Sequence, residues 1–362
     1  MIPVNKPFLP PKEYFVSQLD DIWERTWLTN NGPNVRLLEE KLQNYLNLSN
    51  KVVLVNNGTI ALQIAIKALD LKGQIITTPF SYVATASSIV WESCEPVFAD
   101  IDKDTFNIDV KSIESLISYN TVGIIGTHVF GNPCDIKAIN QLAHANDLKV
   151  IYDAAHAFSV KYEEQSIFNY GDISTASLHA TKLYHCIEGG FVATSDMSFV
   201  RKCELMRNFG HDGPYQYSEL GINGKNSEFH AAMGLVNLEF IDRVIAKRKS
   251  LVNVYESLLS ELPITFQRWE LGATRNYAYM PILFESEKQL IKTTAFLEAN
   301  EINTRRYFYP TLDQLPYLST SDRIPVAREV ARRIICLPLY YDLSVSKVEM
   351  ICELIKSSMK HN

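Results

Sequence analysis

Between residues 51 and 194, short β-branched runs alternate with helical segments, and no other feature limits the fold of this chain as much. KVVLV (51–55) runs through NNG into TIALQIAIKALDL (59–71), a segment apolar on nearly every helical face. Further strand-like runs are QIITT (74–78), PVFAD (96–100), VGIIGTHVF (122–130), KVIYDAA (149–155), ISTASLHA (173–180) and GFVAT (190–194). CDIKAINQLAHAND, between two of them, spaces its apolar residues near the helical period. Strands without polar alternation are buried on both faces, and parallel neighbours need a crossover, usually a helix. The expected fold class is therefore α/β, a mostly parallel mixed sheet flanked by helices.

After Asn237 the pattern changes. LEFIDRVIAKRKSLVNVYESLLSEL (238–262) reads as one long helix leading into a smaller α+β domain. That domain would hold a strand in YAYMPILF, a helix around 287–299, and CLPLYY before a terminal helix. At 362 residues the chain exceeds what one core usually organises. The expectation is a large domain over 1–245 and a small C-terminal domain over 246–362.

Net charge is −6 with no Lys/Arg block, which argues against nucleic acid and anionic membranes as partners. No apolar run approaches the roughly 18 residues of a membrane span, and MIPVNKPFLPPKEYF lacks the core of a signal peptide. The six cysteines are scattered, without a CxxC pair, as expected of reduced thiols in a cytoplasmic protein rather than of a disulfide frame or zinc site.

Parallel α/β sheets bind ligands at the carboxyl ends of their strands, and several polar residues stand there. In NNGTIAL the turn into the helix offers free N–H groups and the positive helix end, with Gly58 and Thr59 at its start. An N-cap by Asn57 or Thr59 explains the same residues more simply. Asp153 ends the apolar VIYD, where a carboxylate needs a cation or hydrogen-bond donors; a structural cap or ion pair is the alternative. His156 and His128 taken singly read as structural residues. DIDKDTFNID mimics a calcium loop but has Thr105 at the glycine position and Lys111 at the last carboxylate, so it reads as a solvated turn and no metal site is expected. Lys182 stands in SLHATKLYHCIEGG, between Ser177 and a Glu-Gly-Gly.

Each signal alone is weak, but together they ask for one ligand. An aldehyde suits the lysine, a phosphate the helix N-terminus, and a cationic ring nitrogen the buried aspartate. Pyridoxal 5′-phosphate carries all three. A carboxylate keeps its ring nitrogen protonated and electron-accepting, and a desolvated, neutral lysine is a good nucleophile toward its aldehyde.

These motifs resemble those of the sugar-aminotransferase family typified by DegT, DnrJ and StrS, which has the aspartate-aminotransferase fold (fold type I). The resemblance covers nearly the whole chain. Its most specific part is Ser-x-His-x-x-Lys followed by Glu-Gly-Gly, here Ser177, His179, Lys182 and Glu188-Gly189-Gly190. WLTNNGP, NNGT, PFSYVAT, HVFGNPCD, YDAAHA, GINGKNSEFHAAMGL and NTRRYFYP match as well. The resemblance implies that Lys182 condenses with the cofactor and shuttles the proton. It places Asp153 at the ring nitrogen, His156 by the phenolic oxygen and Tyr82 against the ring. Gly58, Thr59 and Ser177 would hold the phosphate, joined by Asn223 of the neighbouring subunit, so a homodimer with shared active sites is expected. Leu178, Lys225 and Asn226 depart from the family's commoner Phe, Arg and Met. Relatives that replace the lysine by histidine are dehydratases, and Lys182 argues against that branch.

The reaction implied is a ping-pong transamination from L-glutamate to a nucleotide-linked keto sugar. PFLPP and WLTNNGP most resemble enzymes that aminate C4 of dTDP-4-keto-6-deoxy-D-glucose for surface polysaccharide. Trp27, Thr29 and Tyr309 are the expected sugar-nucleotide contacts, with ordinary packing as the alternative for the aromatics. C3 amination, a UDP-sugar substrate, and a cofactor-binding lyase or regulator on the same fold stay open. A nicotinamide dehydrogenase is disfavoured by the lack of GxGxxG.

Overall fold

A computed structural model describes residues 1–318 and 323–360. Among these, seven strands form one large sheet. They are β1 (Val53–Val55), β2 (Gln74–Thr77), β3 (Glu95–Phe98), β4 (Thr121–Thr127), β5 (Lys149–Asp153), β8 (Ile173–Ser177) and β9 (Gly190–Ala193). A separate two-residue hairpin, β6 (Lys161–Tyr162) with β7 (Gln165–Ser166), lies between β5 and β8 in the chain. The order across the sheet is β1-β9-β8-β5-β4-β2-β3. Only β9 runs against its neighbours. The carboxyl ends of β1, β2, β4, β5 and β8 therefore open on one edge.

Successive residues of these strands enter opposite cores, which is why the strands carry no polar alternation. Ile76, Ile124, Val150 and Phe191 face one core; Ile75, Ile125, Ile151 and Val192 face the other. Helices α1 (Lys12–Arg25) and α2 (Pro33–Leu46) precede the sheet, and α3 (Gly58–Ala68) follows β1. Sheet strands cover one side of α3, while α4 (Val83–Trp91) and the helix Met197–Met206 cover the other. That double cover accounts for an apolar sequence all round the helix.

The smaller domain has a three-stranded antiparallel sheet, β10 (Ile264–Thr265), β11 (Pro281–Phe284) and β12 (Ile334–Cys336). Helices Glu287–Ala299, Pro325–Arg333 and Val345–Lys360 accompany it. The helix Ile241–Leu259 belongs to both parts: Ile241 and Val244 pack in the large core, and Leu251, Val252 and Tyr255 in the small one. It crosses the 245/246 boundary expected from sequence. The chain's first residues also join the small domain, with Ile2 N–H donating to the Glu301 carbonyl and Leu339 N–H to the Val4 carbonyl.

Several local expectations need correction. The stretch 238–262 is not one unbroken helix, since its first residue, Leu238, ends the helix Glu228–Leu238 and a new helix runs from Ile241 to Leu259. VGIIGTHVF stops being a strand at Thr127, where a turn with Phe130 in the left-handed region (φ 57°) begins. ISTASLHA ends as a strand at Ser177, and only Cys336 of CLPLYY is in one. In DIDKDTFNID, Asp102 Oδ1 closes a turn by accepting from the amides of Asp104 and Thr105. Asp100 is not solvated. It is 9% exposed and accepts from the amides of Val326 and Ala327, the first turn of a small-domain helix. Its carboxylate thus caps a helix contributed by a distant segment.

Candidate active site

A cavity of about 370 Å³ opens at the carboxyl edge of the large sheet. Gly58, Thr59, Tyr82, Asp153, His156, Ser177 and Lys182 all line it. Each arrives from a strand end: Gly58 and Thr59 after β1, Tyr82 after β2, Asp153 at the end of β5, Ser177 at the end of β8. The small domain closes the other side with Tyr279, Arg305, Tyr307 and Phe308.

Asp153 is 6% exposed. Its Oδ2 accepts from Thr85 Oγ1 at 2.8 Å and its Oδ1 from the Ala155 amide at 3.1 Å. A hydroxyl has one proton, so Thr85, having donated to Asp153, receives from Ser81 (2.7 Å), which in turn receives from Thr127 (3.1 Å). This three-hydroxyl relay points every dipole at the carboxylate. Burial raises the Asp153 pKa, while Thr85, Ala155 and the charge of Lys182 pull it down. Among the described residues no cation bonds Asp153 directly, and a protonated ring nitrogen would supply one.

Lys182 sits in a loop folded back on the Glu-Gly-Gly turn: Leu178 N–H donates to the Gly189 carbonyl and Ala180 N–H to that of Ile187. Burial lowers its pKa from 10.5 to about 8, partly offset by Asp153 and reinforced by Arg305. At neutral pH a useful fraction of the amine is therefore uncharged and nucleophilic. His156 Nδ1 accepts the Phe130 amide at 3.2 Å, which fixes its proton on Nε2 in the neutral ring. Burial and Lys182 hold that ring neutral. Phe130 and Phe308 lie within 7° of parallel to it.

At the turn into α3 the N-cap reading of NNGTIAL is met, and two further amides are left unused. Asn57 Oδ1 caps the Ile60 amide at 2.9 Å, and no hydrogen bond within the described residues uses the amides of Gly58 and Thr59. A Cβ on Gly58 would stand 2.8 Å from Ser177 Cβ, so glycine is what lets the helix start approach Ser177. The Gly-Gly turn has a related cause. A Cβ on Gly190 would lie 2.6 Å from the Asn57 carbonyl, and one on Gly189 2.2 Å from Cys186 Sγ. The space these glycines leave is filled by the protein itself.

Four expected residues lie outside this cavity in the single chain. Trp27 and Thr29 are exposed, with Trp27 Nε1 donating to the Thr29 carbonyl and Arg36 over the indole. Their turn is anchored by buried Glu228, which accepts from the amides of Asn34 and Val35, and by Arg207, which donates to Asn31. Tyr309 is half exposed beneath the Arg306 guanidinium at 3.8 Å. Asn223 is exposed on a bridge to Asn208. His128 is structural: fully buried, it accepts the Cys134 amide and stacks on Tyr152. Leu178 is fully buried in the core, and Asn226 donates to the Val55 and Glu188 carbonyls, so one departure serves packing and the other ties two backbone segments together. Among the described residues no His/Cys/Asp/Glu cluster could hold a metal, and no helix is long and apolar enough to cross a membrane.

Sequence reasoning missed Ser81, Thr85 and Thr127 behind Asp153, and Tyr279 and Arg305 across the cavity. The i, i+4 spacing of Ser81 and Thr85 around Tyr82 was a usable signal. Nothing local marked Tyr279.

Residues 11–356 match the model of the DegT/DnrJ/EryC1/StrS aminotransferase family. The chain belongs to that family. It is accordingly a PLP-dependent aminotransferase with the aspartate-aminotransferase type of α/β fold. It is 41% identical over 359 residues to a dTDP-4-amino-4,6-dideoxy-D-glucose transaminase of Shigella dysenteriae, covering 98% of each chain. To the protein of that name from Escherichia coli it is 38% identical over 367 residues, covering 99% of each. Among solved structures, DesI crystallised in the presence of its TDP-sugar product superposes with a TM-score of 0.94 at 27% identity, over 99% of this chain and 93% of that one.

The cavity fits the family's cofactor. Among the described residues the helix start beside Ser177 keeps two amides free for a phosphate, and buried Asp153 has no direct cation.

Proposed function

We propose that this chain transfers the amino group of L-glutamate to the C4 keto group of dTDP-4-dehydro-6-deoxy-D-glucose, giving dTDP-4-amino-4,6-dideoxy-D-glucose for surface polysaccharide. Full-length similarity at 38–41% to two proteins named for that product carries this reading. Pyridoxal phosphate, when bound, supplies an aldehyde to receive the amine and a ring that accepts the electron pair released at the adjacent carbon.

The chain's own residues supply the rest. Lys182 provides the amine that holds the cofactor and, once released, stays beside the carbon it must deprotonate. Asp153, oriented by Thr85, would hold the ring nitrogen's proton, and His156 would offer Nε2–H to the phenolic oxygen. Tyr82 would cover the ring face, and Gly58, Thr59 and Ser177 would bind the phosphate. Asn223 would reach that phosphate in a homodimer, with Trp27, Thr29 and Tyr309 walling the sugar-nucleotide site. Exposed apolar side chains on both segments concerned support such an interface: Trp23, Trp27 and Leu28 on one, Tyr215, Tyr217, Leu220 and Ile222 on the other.

Incubation of the enzyme with glutamate and dTDP-4-dehydro-6-deoxyglucose, followed by NMR of the product, tests the assignment. An equatorial amine at C4 of a gluco-configured sugar is expected. An amine at C3, or turnover confined to UDP-sugars, would overturn it.

A further inference from the structure

The two arginines of NTRRYFYP have separate fates. Arg306 is used by the protein: it bonds Glu287 Oε1 at 2.8 Å and the Arg332 carbonyl at 2.9 Å, and covers Tyr309. Arg305 makes no ion pair among the described residues. Its backbone is fixed by exchange of hydrogen bonds with Cys336 on β12, at 3.2 and 2.8 Å. Its guanidinium lies 4.7 Å from the Tyr307 ring and lines the cavity. Among the described residues, Lys182 and Arg305 are the only lysine and arginine lining it. Of the two carboxylates lining it among the described residues, Asp153 is held by Thr85 and Ala155, and Glu188 faces His179 at 3.4 Å. With its backbone held by Cys336, Arg305 is an exposed cation lining the cavity, with no carboxylate partner among the described residues.

Given the proposed role of Lys182 as the proton-transfer base, chemistry decides which anion reaches Arg305. The donor's α-carbon must come within proton-transfer reach of the Lys182 amine, and its carboxylate is bonded to that carbon. A carboxylate carried into a cavity needs a paired cation, and the guanidinium fork matches it with two parallel hydrogen bonds. In the acceptor, the diphosphate hangs from C1, across the sugar ring from the reacting C4, and lies farther from Lys182. The cofactor's phosphate has its own seat at Gly58 and Ser177. Arg305 is close enough for its charge to act on Lys182. We infer that Arg305 binds the α-carboxylate of the amino donor and so restricts the first half-reaction to α-amino acids.

The test uses holoenzyme and the Arg305→Gln and Arg305→Lys variants, with the two half-reactions followed separately by cofactor absorbance. Loss of a charge-assisted pair should raise the glutamate concentration for half-maximal rate about 10–100-fold in Arg305→Gln. Arg305→Lys should recover part of that loss, and half-saturation by the keto sugar should stay unchanged. A rise for the keto sugar instead would assign Arg305 to the diphosphate, and no change for either would leave it without an anion. Both results overturn the inference. A wild-type enzyme that glutamate fails to bleach would overturn the aminotransferase reading itself. A bleached wild type with an unaffected Arg305→Gln variant would sink only the role of Arg305.

Discussion

At the residue scale the proposed chemistry turns on how Asp153 and Lys182 set each other's charge. With its pKa near 8, Lys182 should capture cofactor into apo-protein at a rate that rises from pH 6.5 and levels off above pH 8.5 to 9, as stopped-flow absorbance would show. Asp153 is the neighbour that holds this pKa up. Asp153→Asn should therefore move the midpoint below 8, while lowering transamination by at least about 100-fold, or about 2.7 kcal/mol of barrier. A midpoint unmoved or moved upward would contradict the coupling. The same shift has a stability consequence with a definite sign. The unfolded chain keeps the Lys182 proton up to 10.5 and the folded one releases it near 8, so stability of the apo-protein from this group rises with pH across that window. Below pH 8 the full cost of burying the ammonium applies. Lys182→Met should remove the slope between pH 8 and 10.5 in denaturant titrations.

At the element scale, close backbone approach and distant caps do what strand patterns cannot. The site edge needs β9 to pass the start of α3, and at Gly190 the obstructing atoms are the Asn57 and Ala176 backbones. Gly190→Ala should cost about 1–3 kcal/mol, read as a lowered denaturation midpoint with parallel loss of cofactor. Asp100 joins the end of β3 to the small-domain helix Pro325–Arg333 through two amides. Asp100→Ala should destabilise by about 1–2 kcal/mol and leave the half-saturating concentrations of both substrates unchanged. If those concentrations shift instead, the cap also sets the cavity's geometry.

At the scale of the whole molecule, the single chain leaves Asn223, Trp27, Thr29 and Tyr309 away from the cavity, and the proposed homodimer gives them work. Subunit mixing tests it. Lys182→Ala and Asn223→Asp proteins should each be nearly inactive alone. In a mixed dimer, the site built on the intact lysine receives Asn223 from the other subunit. Random reassortment makes half of the dimers mixed, each with one whole site, so activity should return to about a quarter of wild type. A mixture no more active than its parents would show that Asn223 serves its own chain or none.

The sequence alone determined the sheet class and the meeting of Gly58, Asp153, Ser177 and Lys182, because strand periodicity is local and parallel topology delivers strand ends to one edge. It also carried the family, through motifs short enough to read in a line. Tertiary structure decided what depends on partners far along the chain. The hydroxyl relay from Thr127 reaches Asp153 only across neighbouring strands. Asp100 finds its amides more than two hundred residues away. Arg305 and Arg306, adjacent and alike in sequence, differ because β12 turns one toward the cavity while Glu287 holds the other. A charge reveals its use only when the groups that can neutralise it are known, and those are set by packing in three dimensions.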